Sequence, residues 1–373
     1  MAIEVRELIG RKDLRTFIYL PEAIHKNHAN WVPPLYIDDL SFFNSKKNKS
    51  FAHCITTLAL AWEGQRPVGR IMGIINPHYN ELHNERNARF FALECYQDLE
   101  IARVLVEYVC NWARSHGMQK LVGPLGFSDK DPQGCRIEGF DEPPAITTAN
   151  NFSWMKDYYE KLGFQKEIDL VSYMIPMPEK VPEYIERISG RVMGANGYKL
   201  LEFTSRRELK PWIVPIFRLV NESFVNIYGF IPLDEKEMHE LANRYIPILD
   251  PRFVKVVVNL QNEPIAFVVS MPELSRGIQR ARGRLLPFGW YYILRENRRT
   301  RMLTLLLGAI KEPHRGKGLD SLMGLRILES AYKAQMEFID SHLILETNTL
   351  MRAECERING KVYKQFRIFF KNL

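Results

Sequence analysis

The sequence is poor in cysteine, with five in 373 residues. Cys54, Cys95, Cys110, Cys135 and Cys355 are odd in number and none lies close to another. That spacing excludes a zinc ribbon, a C-x-x-C redox centre and a disulfide framework, and free thiols in a reducing compartment are expected. Long hydrophobic runs are also missing. The longest, Met302 to Ile310, is broken by Thr304 and Gly308 and falls short of the ~20 residues of a membrane span. Contact with a membrane surface stays open; spanning does not. The opening MAIEVRELIGRKDLRTF has no apolar core of a signal peptide. No G-x-S-x-G elbow occurs, which argues against a serine hydrolase. The nine histidines show no metal-ligand spacing, and the loop Ser128 to Gly134 lacks the ligands of a calcium loop. No metal is expected. Without a helix-turn-helix, zinc-finger or RNA-recognition signature, nucleic acid is not expected as a partner.

The length suggests two domains of ~150 residues plus connections. Hydrophobic residues make up 46% and charged residues 25%, as in a globular chain. The formal charge of +7 favours an anionic partner, such as a nucleotide-bearing cofactor, an acidic carrier protein or a lipid headgroup surface.

Along the chain a helical start and the segment WVPPLYIDDLSFF precede two strands, CITTLALAWEG and RPVGRIMGIINP, joined at Glu63-Gly64-Gln65. The strand FFALECYQ leads to a helix from Leu99 to His116, with Ile101, Leu105, Tyr108, Val109 and Trp112 at helical spacing and Gly117 after its end. KLVGPLGF, a polar loop, a helix through Tyr158, the turn at Gly163 and a strand complete the half. MPEKVP is the expected linker. The second half repeats the order: RFVKVVVN and EPIAFVVSMP, the strand RMLTLLLGAI, a helix from Leu319 to about Gln335, the strand SHLILETN, a helix ending at Gly360 and the strand KVYKQFRIFFK. Both halves read β-β-β-α-β-α-β. The expected boundaries are residues 1–178 and 179–373.

The chemistry concentrates between Leu303 and Leu328. An apolar strand ends in Arg315-Gly316-Lys317-Gly318, which opens directly into a helix. Glycines let backbone N–H groups approach an anion, and the helix N-terminus adds about half a positive charge. The spacing is neither that of a Walker loop nor of a dinucleotide fingerprint.

Strand, loop and order together resemble the GNAT acyltransferase superfamily, whose motif A is a strand followed by [QR]-x-x-G-x-[GA] at a helix start. Arg315 and Gly318 match it, and Asp320 stands at the final position, where a helix-terminal acid is at home. YYEKLGF, Tyr158 to Phe164, is similar to the Y-x-x-x-G-F ending of many GNAT domains, while Glu356 occupies the tyrosine position in the second half. The first half has no glycine loop before its helix. The resemblance covers most of residues 50–175 and 200–373. It implies an α/β (α+β) fold of two tandem GNAT-like domains, each a mixed, mostly antiparallel central sheet flanked by helices, with the acyl-CoA loop in the second.

The resemblance further implies an N-acyltransferase that moves an acyl group from acetyl-CoA or a longer acyl-CoA, or from an acyl carrier protein, to an amine, a long-chain or lipid amine included. A non-catalytic GNAT protein that binds or senses acyl-CoA and a Fem-like aminoacyl transferase are the alternatives. Cosubstrate contacts would come from Leu307, Gly308, Ala309 and Ile310, whose amides polarise the thioester, from Arg315, Gly316, Lys317, Gly318 and Leu319, and from Asn348. Glu312, His314 and Glu346 are candidate bases, with His342 also in reach, and Tyr363 and Tyr332 are candidate acids for the thiolate.

Arg276, Arg280, Arg282, Arg284, Arg295, Arg298, Arg299 and Arg301 flank the patch Phe288-Gly289-Trp290-Tyr291-Tyr292. The segment reads either as a docking surface for an acidic carrier, a CoA phosphate or anionic lipid, or as a solvated long hairpin with a buried aromatic hinge. The expected location is the cytoplasm, with a peripheral place on the inner membrane face left open.

Overall fold

The computed structural model describes residues 2–373 except 147, 195, 196, 226, 247 and 248. The first half runs β1 (Ile3–Glu7), α1 (Gly10–Ile24), α2 (Tyr36–Phe42), α3 (Ser50–His53), β2 (Ile55–Glu63), β3 (Arg66–Ile75), α4 (Pro77–His83), β4 (Asn87–Cys95), α5 (Leu99–Ser115), β5 (Lys120–Gly123), β6 (Cys135–Glu138), α6 (Met155–Lys161) and β7 (Gln165–Pro176). The second runs α7 (Glu183–Gly194), β8 (Lys199–Glu202), α8 (Arg206–Leu209), α9 (Ile213–Ser223), α10 (Glu235–Tyr245), β9 (Val254–Val258), β10 (Pro264–Pro272), α11 (Ser275–Arg280), α12 (Gly289–Arg299), β11 (Met302–Ile310), α13 (Leu319–Lys333), β12 (Phe338–Asp340), β13 (Ile344–Leu345), α14 (Thr349–Arg357) and β14 (Lys361–Asn372).

One sheet joins the halves, in the order β1-β2-β3-β4-β5-β14-β7-β12-β11-β10-β9-β8. The halves exchange their last strands. β14 enters the first half between β5 and β7, and β7 pairs with β12 and β13 of the second. Among the described residues, only β4–β5 and β11–β12 are parallel. Helices cover both faces, because strands such as Val254–Val258, buried at every position, need an apolar layer on each side. In the first half α5 lays Leu105, Val109 and Ala113 on Ile71 and Phe90, while Phe17 and Ile18 of α1 meet Leu60 and Met72 on the opposite face. In the second, Leu319 and Leu322 of α13 pack with Val257 and Ala266, and Ile216 and Val220 of α9 cover Val256 and Phe267.

The N-terminal start begins with a strand, β1, antiparallel to β2, and the helix follows it. The expected single strand SHLILETN is split into β12, ending at Asp340, and the two-residue β13, with His342 at positive φ between them. The arginine-rich segment forms two helices, α11 and α12, rather than an extended hairpin, and its aromatic residues are exposed rather than buried. No helix among the described residues is long and apolar enough to cross a membrane.

Candidate functional site

β11 lies in the middle of the second half yet lacks a full set of neighbours. It is antiparallel to β10 along its length, with one extra residue, Leu306, between the pairs Leu305–Ser270 and Leu307–Val269. Its parallel pairing with β12 covers only Met302–Thr304 against Phe338–Asp340. Past Thr304 the two strands diverge. On that side Leu305–Ile310 have no strand partner among the described residues, so the main-chain groups that alternate away from β10 open onto the gap, or groove, between the strands. Leu307, Ala309 and Ile310 are half-buried and Gly308 is exposed.

The strand ends at a single 3-10 turn, Glu312–His314, and the glycine loop follows. Gly316 and Gly318 both sit at positive φ, 71° and 82°. The Arg315 amide donates to the Glu312 carbonyl at 3.1 Å. Among the described residues, the amides of Gly316, Lys317, Gly318, Leu319, Asp320 and Ser321 donate to no protein acceptor. Gly318 is the N-cap of α13 and offers no side chain to these amides, and Asp320 is exposed in the first turn without capping it. Leu319 is fully buried and fixes the helix start. A row of unpaired N–H groups at the positive end of a 15-residue helix is suited to a phosphate-bearing ligand. Arg315 and Lys317 are exposed beside it, and the Arg315 Nε donates to the Ile310 carbonyl at 3.2 Å.

The first half has the same frame with the site closed. Its strand β4 also carries an extra residue, between the pairs Arg70–Glu94 and Met72–Phe91, and is parallel to β5 only over Asn87–Arg89. There the divergence is filled by the protein itself. The Leu125 amide donates to the Phe90 carbonyl at 2.9 Å, and buried Arg89 donates to the carbonyls of Gly126 and Phe127. Its helix α5 is capped by Asp98, whose carboxylate accepts from the Glu100 amide at 2.8 Å.

The sequence candidates fall into separate groups. Glu312 is exposed beside the loop. The His314 Nδ1 lies 3.1 Å from the Tyr198 hydroxyl, and burial, aided by Lys317 and Lys311, lowers its pKa. Asn348 caps α14, its Oδ1 accepting from the Met351 amide at 3.2 Å. Glu346 pairs with Lys166 at 2.7 Å and accepts from the Asp169 amide at 3.1 Å. Tyr363 sits where β11 and β12 part. Its hydroxyl donates to Asp340 at 2.9 Å and accepts from the Lys364 Nζ at 3.0 Å. Six residue steps along the strand separate Thr304 from Ile310, a distance of ~20 Å. Glu312 and His314 therefore belong to the loop end of the groove, and Tyr363 to its vertex.

Several polar groups at and near the vertex were not foreseen. Glu273 accepts from Thr304 at 3.0 Å and from the Ser275 amide at 2.8 Å. Asp340 accepts from the His342 amide at 2.8 Å. Burial raises the Asp340 carboxyl against the pull of Lys364, and it lowers the Lys364 ammonium against the pull of Asp340 and Glu273. Burial, with Asp340 adding to it, pushes the Tyr363 phenol upward, so it keeps its proton at neutral pH. Tyr363 also lines a cavity of about 390 Å³ with Glu142, Met174 and Phe338. Elsewhere the Glu356 carboxylate accepts from the Tyr173 hydroxyl at 2.7 Å, and the Arg352 Nε donates to that hydroxyl oxygen at 3.1 Å. A relay in the first half joins Glu94, His25 and His28 through contacts of 3.0 Å each. Each set draws on residues far apart in the chain, and no local motif announces them.

The order of strands and helices around this site has counterparts among solved structures. The tandem GNAT protein from the clavulanic acid biosynthesis pathway superposes with a TM-score of 0.58 at 12% identity, over 100% of this chain and 98% of that one. The chain has the tandem GNAT fold. A GCN5-related N-acetyltransferase from Sphaerobacter thermophilus gives a TM-score of 0.54 at 11% identity, covering 99% and 95% of the two chains. The fold class expected from Arg315 and Gly318 is thus the one adopted, an acyltransferase-like α/β fold with a mixed, mostly antiparallel sheet. No family model matches the tandem GNAT chain. In sequence it is 26% identical over 368 residues to the bacterial ceramide synthase of Caulobacter vibrioides, covering 97% of this chain and 95% of that one. It is 24% identical over 382 residues to Protein YghO of Escherichia coli, with coverage of 99% and 95%.

Proposed function

We propose that this protein transfers an acyl group from acyl-CoA to an amine, with residues 1–178 and 179–373 as its two GNAT-like units. The observation that carries this reading is the run of unpaired amides from Gly316 to Ser321, one short turn beyond the part of β11 that has no strand partner on its β12 side. A diphosphate held at α13 would let the pantetheine arm lie along Leu307–Ile310 and pair with those main-chain groups that do not face β10. The thioester would then reach the vertex. There the amine would attack the carbonyl, a strand amide would hold the oxyanion, the C–S bond would break, the nitrogen would release its proton to solvent, and the thiolate would take one. Tyr363, which keeps its proton and lies at the vertex, is the nominated donor. Glu312 and His314 would serve the phosphate end. A long-chain acceptor is favoured by the similarity to a bacterial ceramide synthase, and five free thiols suit the cytoplasm, where CoA is available.

The test measures CoA thiol release from acetyl-, palmitoyl- and hydroxyacyl-CoA over an amine panel, with CoA affinity measured separately. The double variant Arg315→Glu/Lys317→Glu should weaken CoA binding about tenfold or more, since each reversed charge faces the phosphates. Binding without turnover on any amine would point to a sensor of acyl-CoA. No binding of any acyl-CoA would remove both readings.

A further inference from the structure

The helical hairpin α11–α12 has an inner and an outer side of opposite character. Gly289, Ile293 and Glu296 of α12 turn inward. Ile293 and Glu296 meet α11 at Gly277, where a Cβ would lie 2.8 Å from the Glu296 Cβ and 3.0 Å from the Ile293 Cα, while Gly289 packs against Arg284 and Ala281. The outer side and the turn before it leave large apolar side chains in solvent: Leu286 is 80% exposed, Phe288 69%, Leu294 53%, Tyr291 51% and Trp290 50%. A contiguous group of this size on a chain surface marks a place of contact.

Charge selects the partner. Residues 276–301 hold eight arginines and one acid, Glu296, so the segment alone carries a formal +7, equal to that of the whole chain. All eight arginines are exposed and Glu296 is buried. Among the described residues, Arg276, Arg295, Arg298 and Arg299 enter no ion pair. A second copy of the same patch would meet it with like charge. An apolar centre ringed by arginines fits a surface that is negative outside and hydrocarbon beneath. The hairpin is also held firmly. Gln279 donates to the carbonyls of Ala29 and Trp31 at 2.8 and 2.9 Å, Arg284 pairs with Glu22 at 2.7 Å, and the Tyr36 amide donates to the Gly283 carbonyl.

We infer that the outer face of α12 and the turn at Leu286–Phe288 dock this protein peripherally on an anionic phospholipid bilayer, aromatic side chains in the interface and arginines on the headgroups. The inner side of the same hairpin places Ile278 and Ile293 in one apolar cluster with Leu306, the extra residue of β11. Docking would therefore bring the bilayer surface to the back of the element that walls the acyl groove. That consequence, a route for a lipid-anchored amine, rests on the acyltransferase reading; docking itself does not.

The experiment is sedimentation of the full chain with vesicles of phosphatidylcholine alone and with 30 mol% phosphatidylglycerol, roughly 10 and 300 mM salt bracketing the physiological Debye length. Binding is expected only to the anionic vesicles and should weaken with salt. Arg295→Glu/Arg298→Glu/Arg299→Glu should reduce it roughly 100-fold, at about 1 kcal/mol per basic residue. Trp290→Ala/Leu294→Ala should reduce it about tenfold. Brominated lipid should quench the wild type more than Trp290→Phe. Far-UV circular dichroism and the urea midpoint of every variant show that the fold is intact, and vesicle binding needs no acyl donor, so either reading can fail alone. The inference is overturned if the wild type ignores anionic vesicles, if it binds zwitterionic ones equally well, or if both multiple variants sediment like the wild type. A change from dimer to monomer in the variants would equally overturn it, by assigning the patch to self-association.

Discussion

Gly316 and Gly318 share the left-handed backbone region but require glycine for different reasons. A Cβ on Gly316 would meet nothing within 4 Å, whereas one on Gly318 would lie 2.5 Å from the Ile188 Cγ2 and 3.0 Å from the Val192 Cγ2 on α7. Gly316→Ala should therefore cost only the ~1 kcal/mol of left-handed strain. Gly318→Ala adds overpacking and should cost about 2–4 kcal/mol. Urea unfolding of the two variants measures the difference, and equal midpoints would refute the packing argument. Two histidines set a second expectation. Burial, with the His25 and Arg136 charges adding to it, lowers His28 to about 4. Burial lowers His342 to about 4 against the opposing pull of Glu273. An unfolded histidine titrates near 6.5, so between that value and 4 the unfolded chain binds the protons first and stability falls as pH falls. With both groups the slope reaches at most about 2.7 kcal/mol per pH unit. Unfolding at pH 7 and pH 5 tests the sign, and His342→Asn should remove about half of the slope.

At the scale of elements, the two helix starts explain how one frame yields a closed and an open site. Asp98 satisfies α5 from within the chain, while Gly318 leaves α13 to an external anion. Asp98→Ala should cost about 1 kcal/mol of stability and leave CoA affinity unchanged. A loss of CoA affinity in that variant would show that the first half also takes part in binding. Much at this scale was legible. The helical spacing from Ile101 to Trp112 placed α5 within one residue, and the apolar run ending at Arg315-Gly316-Lys317-Gly318 placed β11, the loop and α13. What escaped depends on tertiary contact. β1, with IEVRE alternating in part and bearing three charges, is an edge strand that only β2 defines. The arginine-rich segment has no clean period of its own and becomes helical because Gly277 lets α12 approach α11. The vertex set of Glu273, Thr304, Asp340, Tyr363 and Lys364 is gathered from the end of β10 and from β11, β12 and β14, so no spacing within one segment could announce the set, although Tyr363 by itself was a candidate.

At the scale of the molecule, the repeated order of elements could be read, but the exchange of last strands could not. β7 and β14 each have 12 residues and similar apolar content, so local pattern fits either to either place. The exchange makes each half depend on the other. β14 supplies Phe366, Ile368 and Phe369, each at most 1% exposed, and runs beside both β5 and β7. Burying three such side chains contributes roughly 5–9 kcal/mol at ~1.5–3 each, comparable with the 5–15 kcal/mol that holds a whole domain. A chain ending at Gly360 should therefore fail to fold in either half, although every residue of the glycine loop and of α5 is still present. In the full chain, amide exchange should show β3 and β10 losing protection together in a single urea transition. Two separated transitions would mean that β7 and β14 do not couple the halves, and a folded, CoA-binding truncation would remove the exchange from any role in building the site.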